Sequence, residues 1–204
     1  MKLPRRGLYA ITQTEHKTAD IIIEEVAAAL RGGAVIVQYR DKNPIDAADL
    51  ATQLLKLCHR HRVPLIINDD VKLAANIGAD GVHLGQDDGS IALARNHLGP
   101  EAIIGVSCYN SIERAINAQV QSASYVAFGR FFPSTSKPLA APAHLDTLRQ
   151  AKLALNIPIV AIGGILPENG QSLLKAGADL LAVIGGLFGD EPESMARAYR
   201  QLFD

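Results

Sequence analysis

The sequence predicts an α/β chain closed into a single (β/α)8 TIM barrel, with residues 1–204 forming one domain. Three observations predict it. Eight short apolar runs alternate with amphipathic segments along the whole chain. A similar turn signature precedes four of those runs, and no linker, low-complexity segment or shift in composition divides the chain. A doubly wound open sheet is the alternative that the same alternation allows.

The first run covers 8–12. Behind it, Ile22, Ile23, Val26, Ala27 and Leu30 recur at helical spacing until Gly32-Gly33 stops the pattern. The run at 35–38 leads to a helix over 46–61, with Asp46 as an N-cap type. The run at 65–68 leads to the short 71–77 segment, which shows the least helical periodicity. Runs at 81–84 and 103–107 precede helices over 90–98 and 111–122, each started by a serine, Ser90 and Ser111. After 125–129 comes a helix over 145–155. After 159–163 and 180–184 come helices over 167–176 and 192–202, whose Pro167 and Pro192 have the fixed φ of a first helical turn. The runs are apolar throughout, which marks strands buried on both faces. The recurring signature reads Gly32-Gly33-Ala34, Gly78-Ala79-Asp80, Ser122-Ala123-Ser124 and Gly177-Ala178-Asp179, each a helix end turning into a strand.

A hydrophobic fraction of 48% with 20% charged residues is ordinary for a well-buried α/β protein. The net charge of -1 provides no overall basic field for nucleic acid or an anionic membrane, so anion recognition must be local. The basic residues before Gly7 precede an apolar run far too short for a signal segment. No apolar stretch reaches spanning length, so the expected location is cytoplasmic. Cys58 and Cys108 lack the spacing of a zinc site or a disulfide framework and are expected to be reduced and structural.

In a barrel of this kind the site forms from the loops after the strands, and here those positions are polar. The second run ends in Gln38-Tyr39-Arg40-Asp41-Lys42, the third in Asn68-Asp69-Asp70, and the fourth leads to Gly85-Gln86-Asp87-Asp88. The fifth ends in Ser107. Carboxylates facing Arg40, Lys42 and Lys137 suggest a divalent metal holding a polyphosphate, because Mg2+ keeps several waters and takes one or two carboxylates plus substrate phosphate. Gly163-Gly164 and Gly185-Gly186 fall in the two loops where barrels commonly bind a phosphate through bare backbone N–H groups.

Each of these positions has a plainer reading. Asp69 could cap a helix from Val71 onward and Asp88 could be a turn residue before Ser90. The glycine pairs could be turns, and Arg40 and Lys42 a solvated surface. The hydroxyls and ammonium of Ser134-Thr135-Ser136-Lys137 suit an anion cradle, or a simple connector. His83, inside the fourth run, reads as a packed, hydrogen-bonded barrel residue rather than a catalyst. The other histidines fall on helices or loops and are expected at the surface. No lysine lies within a strand, which disfavours a Schiff-base aldolase.

Taken in order, Gly7-Leu8-Tyr9-Ala10-Ile11-Thr12, Val37-Gln38-Tyr39-Arg40-Asp41-Lys42, Ile67-Asn68-Asp69-Asp70, Gly81-Val82-His83-Leu84-Gly85-Gln86, Gly105-Val106-Ser107 and Ile162-Gly163-Gly164-Ile165 resemble the thiamine phosphate synthase family over nearly the whole chain. The resemblance implies a transferase of thiamine biosynthesis. It would join a hydroxymethylpyrimidine diphosphate to a thiazole phosphate with Mg2+, giving thiamine phosphate and pyrophosphate.

By the same resemblance, Gln38, Arg40, Lys42, Asn68, Ser107 and Lys137 hold the pyrimidine diphosphate, with Tyr39 and Asp41 in the same motif, and Asp69 and Asp88 hold the metal. Ser134, Thr135, Ser136, Gly164, Ile184 and Gly185 surround the thiazole phosphate. Arg40, Lys42 and Lys137 stabilise the leaving pyrophosphate. Serines at 134 and 136 stand where the family usually has threonines, and Gly185 where a serine is common. Two other activities fit the same scaffold: a thiazole tautomerase, against which Asp69, Asp88, Lys42 and Lys137 argue, and a non-catalytic ligand-binding regulator. The oligomeric state is left open by the sequence.

Overall fold

The computed structural model describes residues 1–42, 46–85, 89–133 and 141–204. Eight parallel strands close into a barrel in chain order: β1 (Gly7–Ile11), β2 (Ala34–Tyr39), β3 (Leu65–Asn68), β4 (Gly81–Leu84), β5 (Ile103–Tyr109), β6 (Tyr125–Phe128), β7 (Ile159–Ile162) and β8 (Leu180–Val183). β8 returns to pair with β1. The helices α1 (Ala19–Gly32), α2 (Ala47–Arg60), α3 (Val71–Ile77), α4 (Ile91–Leu98), α5 (Ile112–Val120), α6 (Leu145–Ala154), α7 (Pro167–Ala176) and α8 (Pro192–Gln201) follow them in turn. The open-sheet alternative is thereby excluded. The short 71–77 segment is a helix over the expected residues, and Asp46, Ser90 and Ser111 cap α2, α4 and α5 by accepting backbone N–H bonds.

The recurring turn signature has a physical function that its sequence only hinted at. Gly33, Gly78, Ser122 and Gly177 all take positive φ at helix ends, 106°, 70°, 65° and 118°. The next residue then bonds back into the helix, as in Ala79 N–H to Ala74 O, Ala123 to Ala118 and Ala178 to Leu173. At three of the four sites the third residue reaches across to the preceding strand. Asp80 accepts from Leu65 N–H (2.9 Å), Ser124 from Ile104 N–H (3.0 Å) and Asp179 from Ile159 N–H (2.9 Å). One tripeptide thus ends a helix and starts two neighbouring strands at the N-terminal face of the barrel, at alternate pairs around the ring.

Strand alternation divides the core in two. Leu8, Ala10, Val37, Ile67, Val82, Ile104, Val126 and Leu181 point outward into the helix layer. Tyr9, Ile11, Ile36, Ile66, Ile103, Tyr125, Val160 and Leu180 fill the interior. Burial on both faces explains why the runs are uniformly apolar. Truncating fully buried Ile66 to Ala would cost about 2–5 kcal/mol. Both cysteines are buried and free, and burial first of all pushes their thiols up to about 12, so they are inert packing groups, as expected. Among the described residues no helix is long and apolar enough to cross a membrane.

Candidate active site

The same alternation that fills the barrel floor with isoleucine and tyrosine brings Gln38, Asn68, His83 and Ser107 to the inner face near the C-terminal ends of β2 to β5. Adjacent strands hold them in register, with Asn68 opposite His83 and His83 opposite Gly105. They open into a cavity of about 480 Å³. Its wall includes Arg40, Asp69, Gly85, Tyr109 and Arg130 on one side. Gly163, Gly164, Ile184, Gly185 and Gly186 contribute from the ends of β7 and β8. One arc therefore carries charge and amide groups, and another carries bare backbone.

Arg40 is held by its backbone. Thr12 at the end of β1 accepts from Arg40 N–H (2.9 Å) and donates its hydroxyl to Arg40 O (3.0 Å). Thr12 is 2% exposed. It is a positioning residue that the sequence reading passed over, although its hydroxyl at a strand end was a usable signal.

Asp69 takes φ 63°, in the left-handed region that Asp tolerates better than most residues. Its N–H donates to His83 O (2.8 Å), and Asn68 Nδ2 donates to its carboxylate (2.5 Å). The possibility that Asp69 caps the next helix is overturned. Asp70 is the N-cap of α3, accepting from Leu73 N–H at 2.8 Å, which leaves Asp69 on the cavity wall. A carboxylate there, on the same wall as Arg40, is a hard oxygen donor of the kind Mg2+ takes. Among the described residues no three His, Cys, Asp or Glu side chains group as metal ligands.

The side chain of Tyr39 does not open into the cavity. At this end of β2 Val37 and Tyr39 face outward, so the Tyr39 ring packs into the helix layer at 3% exposure. Its hydroxyl, pushed up to about 12 by burial and then by the nearby Asp41 charge, reaches toward that carboxylate at 3.5 Å. Asp41 and Lys42 follow Arg40 just outside the cavity wall, and the Lys42 side chain is exposed. Ser134, Thr135, Ser136, Lys137 and Asp88 lie outside the described residues.

His83 meets the expectation of a packed, hydrogen-bonded residue. Its Nδ1 is 2.9 Å from Tyr125 Oη and its Nε2 is 2.9 Å from Ser107 Oγ. Its ring stacks on Tyr125 with centroids 5.6 Å apart. The remaining histidines are all exposed. Tyr125 in turn meets Tyr9 Oη at 2.7 Å, and Gln38 Nε2 donates to Tyr9 Oη at 2.8 Å. Burial drives both phenols well above their ordinary range, so they remain neutral. Neither tyrosine was expected in the site. They sit 116 residues apart in the chain, so only the closed barrel joins them.

The glycine corner is shaped by the neighbouring loop as well as by any ligand. Gly164 has φ 61°, and a Cβ there would fall 2.3 Å from Pro133 O. Asn169 braces this turn, donating to Gly164 O (3.1 Å) and accepting from Leu166 N–H (2.9 Å). Gly185 is different, because among the described residues a Cβ there meets nothing nearer than Gln13 Oε1 at 4.0 Å.

The family model for thiamine monophosphate synthase matches residues 8–187. The chain is 54% identical over 201 residues to a thiamine-phosphate synthase of Nitrosococcus oceani, covering 97% of this chain and 93% of the relative. It is 52% identical over 204 residues to that of Marinobacter nauticus, covering 98% and 91%. Among solved structures, thiamine phosphate pyrophosphorylase from Pyrococcus furiosus superposes with a TM-score of 0.87 at 33% identity, covering 97% of this chain and 95% of that one. These likenesses run through the strands that carry the cavity wall, and the chain belongs to the thiamine monophosphate synthase family.

Proposed function

We propose that the cavity joins a hydroxymethylpyrimidine diphosphate to a thiazole phosphate, releasing pyrophosphate, in the cytoplasm and with Mg2+. The observation that carries this reading is the division of one cavity wall. Arg40, Asn68 and Asp69 stand at the ends of β2 and β3, and the glycine pairs stand at the ends of β7 and β8. A diphosphate and a monophosphate can each find a separate anchorage there.

The reaction breaks the pyrimidine CH2–O bond, leaving a ring-stabilised cation and a departing pyrophosphate. The thiazole nitrogen then attacks that carbon with its lone pair. This nitrogen has no proton to lose, so no general base is required, in keeping with a His83 occupied by hydrogen bonds. The protein's task is to stabilise charge on the leaving group and to hold the nucleophile close while excluding water. Arg40 performs the first part, with Lys42 and Lys137 assigned beside it by family resemblance. Asp69, with Asp88, would hold Mg2+, which supplies Lewis-acid stabilisation of the departing pyrophosphate. Gln38, Asn68 and Ser107 orient the pyrimidine, and the backbone at Gly164, Ile184 and Gly185 receives the thiazole phosphate.

The test is product formation from the two phosphorylated substrates, with and without Mg2+. Thiamine phosphate and pyrophosphate should appear in equal amounts and stop in EDTA. Tautomerisation of a thiazole substrate without condensation, or ligand binding with no product, would replace this reading.

A further inference from the structure

Five side chains from five positions around the barrel form one unbroken hydrogen-bonded series: Gln38, Tyr9, Tyr125, His83 and Ser107. The direction of each bond follows from the first. Gln38 Nε2 can only donate, so Tyr9 Oη accepts there, and its own proton is directed to Tyr125 Oη. Tyr125, fully buried, must then donate onward to His83 Nδ1. A neutral imidazole that accepts at Nδ1 carries its proton on Nε2, and that proton goes to Ser107 Oγ. Ser107 therefore accepts inside the series and has its own proton available toward the cavity. At the other end Gln38 keeps Oε1 as an acceptor. The opposite direction would set the Tyr9 proton against the Gln38 amide donor inside a barrel where Tyr9 is 1% exposed.

We infer that this series is a polarised relay that fixes His83 as its Nε2–H tautomer, so that Ser107 meets the ligand as a donor and Gln38 meets it as an acceptor. His83 and Tyr125 are then positioning residues that act through Ser107. Gly105 belongs to the same device, because a Cβ there would fall 2.0 Å from the Tyr125 ring. A donor at one end and an acceptor at the other suit a flat heterocycle that carries both a ring nitrogen and an amino group. This deepens the proposed function, since it rests on the pyrimidine being the ring that reaches this floor.

The relay itself can be tested without catalysis. In ¹⁵N-histidine-labelled protein, long-range ¹H–¹⁵N correlation distinguishes the two tautomers, and His83→Gln identifies the resonance by its disappearance. The expected result is a neutral Nε2–H imidazole; an Nδ1–H tautomer or an imidazolium overturns the relay. Tyr125→Phe keeps the ring over Gly105 but removes the central hydroxyl. It should release the tautomer preference and raise KM for the pyrimidine diphosphate by about tenfold, leaving KM for the thiazole phosphate unchanged. Equal changes in both constants, or none, would overturn the positioning role. Tyr9→Phe gives the same comparison if the first variant folds poorly. If no thiamine phosphate is formed by the wild type, the proposed reaction fails while the tautomer measurement still decides the relay.

Discussion

Tyr199, fully buried on the last helix, donates its hydroxyl to the carbonyl of Ile165 at 2.8 Å, and Gly186 O lies 3.2 Å from the same hydroxyl. One phenol thereby ties the turn after β7 to the turn after β8. Burial holds that phenol above its ordinary range, so it remains a donor at neutral pH. The distance between the two glycine turns is thus set from the helix layer, by a residue that does not line the cavity.

Tyr199→Phe should lower stability by about 1–2 kcal/mol, because both carbonyls lose their shared donor in a dry environment. It should also weaken the thiazole phosphate several-fold and leave the pyrimidine diphosphate nearly unaffected. Urea unfolding and calorimetry with each ligand separately check the two parts. Equal weakening of both ligands would mean that the clamp supports the whole barrel mouth and not this corner.

Asp69 and Asp70 are adjacent carboxylates with separable duties. Asp70→Ala removes the α3 cap and should cost about 1 kcal/mol of stability with turnover little changed. Asp69→Asn should leave stability nearly intact and reduce turnover by roughly two orders of magnitude or more, with weaker Mg2+ dependence. Paired thermal melts and Mg2+ titrations of the two variants decide this. A reversed pattern would return Asp69 to a structural role.

The barrel was legible because strands buried on both faces make uniform apolar runs, and because Gly and Ser at helix ends mark four of the returns to the sheet. The polar strand ends were legible too, since any side chain there stands at the mouth. What the motifs did not separate was inward from outward: Gln38 and Tyr39 are neighbours in one motif, yet the pleat sends one to the cavity and the other to the helices. Likewise Asp69 and Asp70 read alike until the φ of 63° at Asp69 shifts the cap onward by one residue. Tyr9 and Tyr125 read as core, and they are core; their shared hydrogen bond exists only once the ring of strands is closed.

At the opposite face, Asp80 is the subject of a pH prediction. Burial alone would raise its carboxyl, but the Met1 ammonium (2.8 Å), the Leu65 N–H (2.9 Å) and His59 (2.9 Å) together hold it below its ordinary value. A depressed carboxylate stabilises the fold above its unfolded pKa, and that contribution is lost as pH falls through the folded value. Asp80→Asn should therefore cost about 1–3 kcal/mol at neutral pH. The gap from wild type should narrow below roughly pH 4, where the unfolded chain takes up its proton. Urea unfolding across pH 3 to 7 measures this, with turnover expected to stay intact because the N-terminal face serves stability. A gap that is constant with pH would show that the side chain acts by packing alone.

The two glycine turns make the sharpest contrast. At Gly164 even a methyl group would strike the Pro133 carbonyl from a backbone already at φ 61°, so Gly164→Ala should disturb the neighbouring loop and destabilise the protein even without ligand. Among the described residues nothing crowds Gly185, so a serine hydroxyl there could serve a phosphate without moving any of them. Gly185→Ser should therefore fold normally and tighten the thiazole phosphate by about 0.5–1.5 kcal/mol, if that corner binds it. Calorimetry with the thiazole phosphate and with the pyrimidine diphosphate, on both variants, separates loop support from ligand contact. Tighter binding of the first ligand alone in Gly185→Ser would place the monophosphate at the end of β8. An unchanged affinity for both ligands would remove Gly185 from the site and leave its neighbours to hold the phosphate.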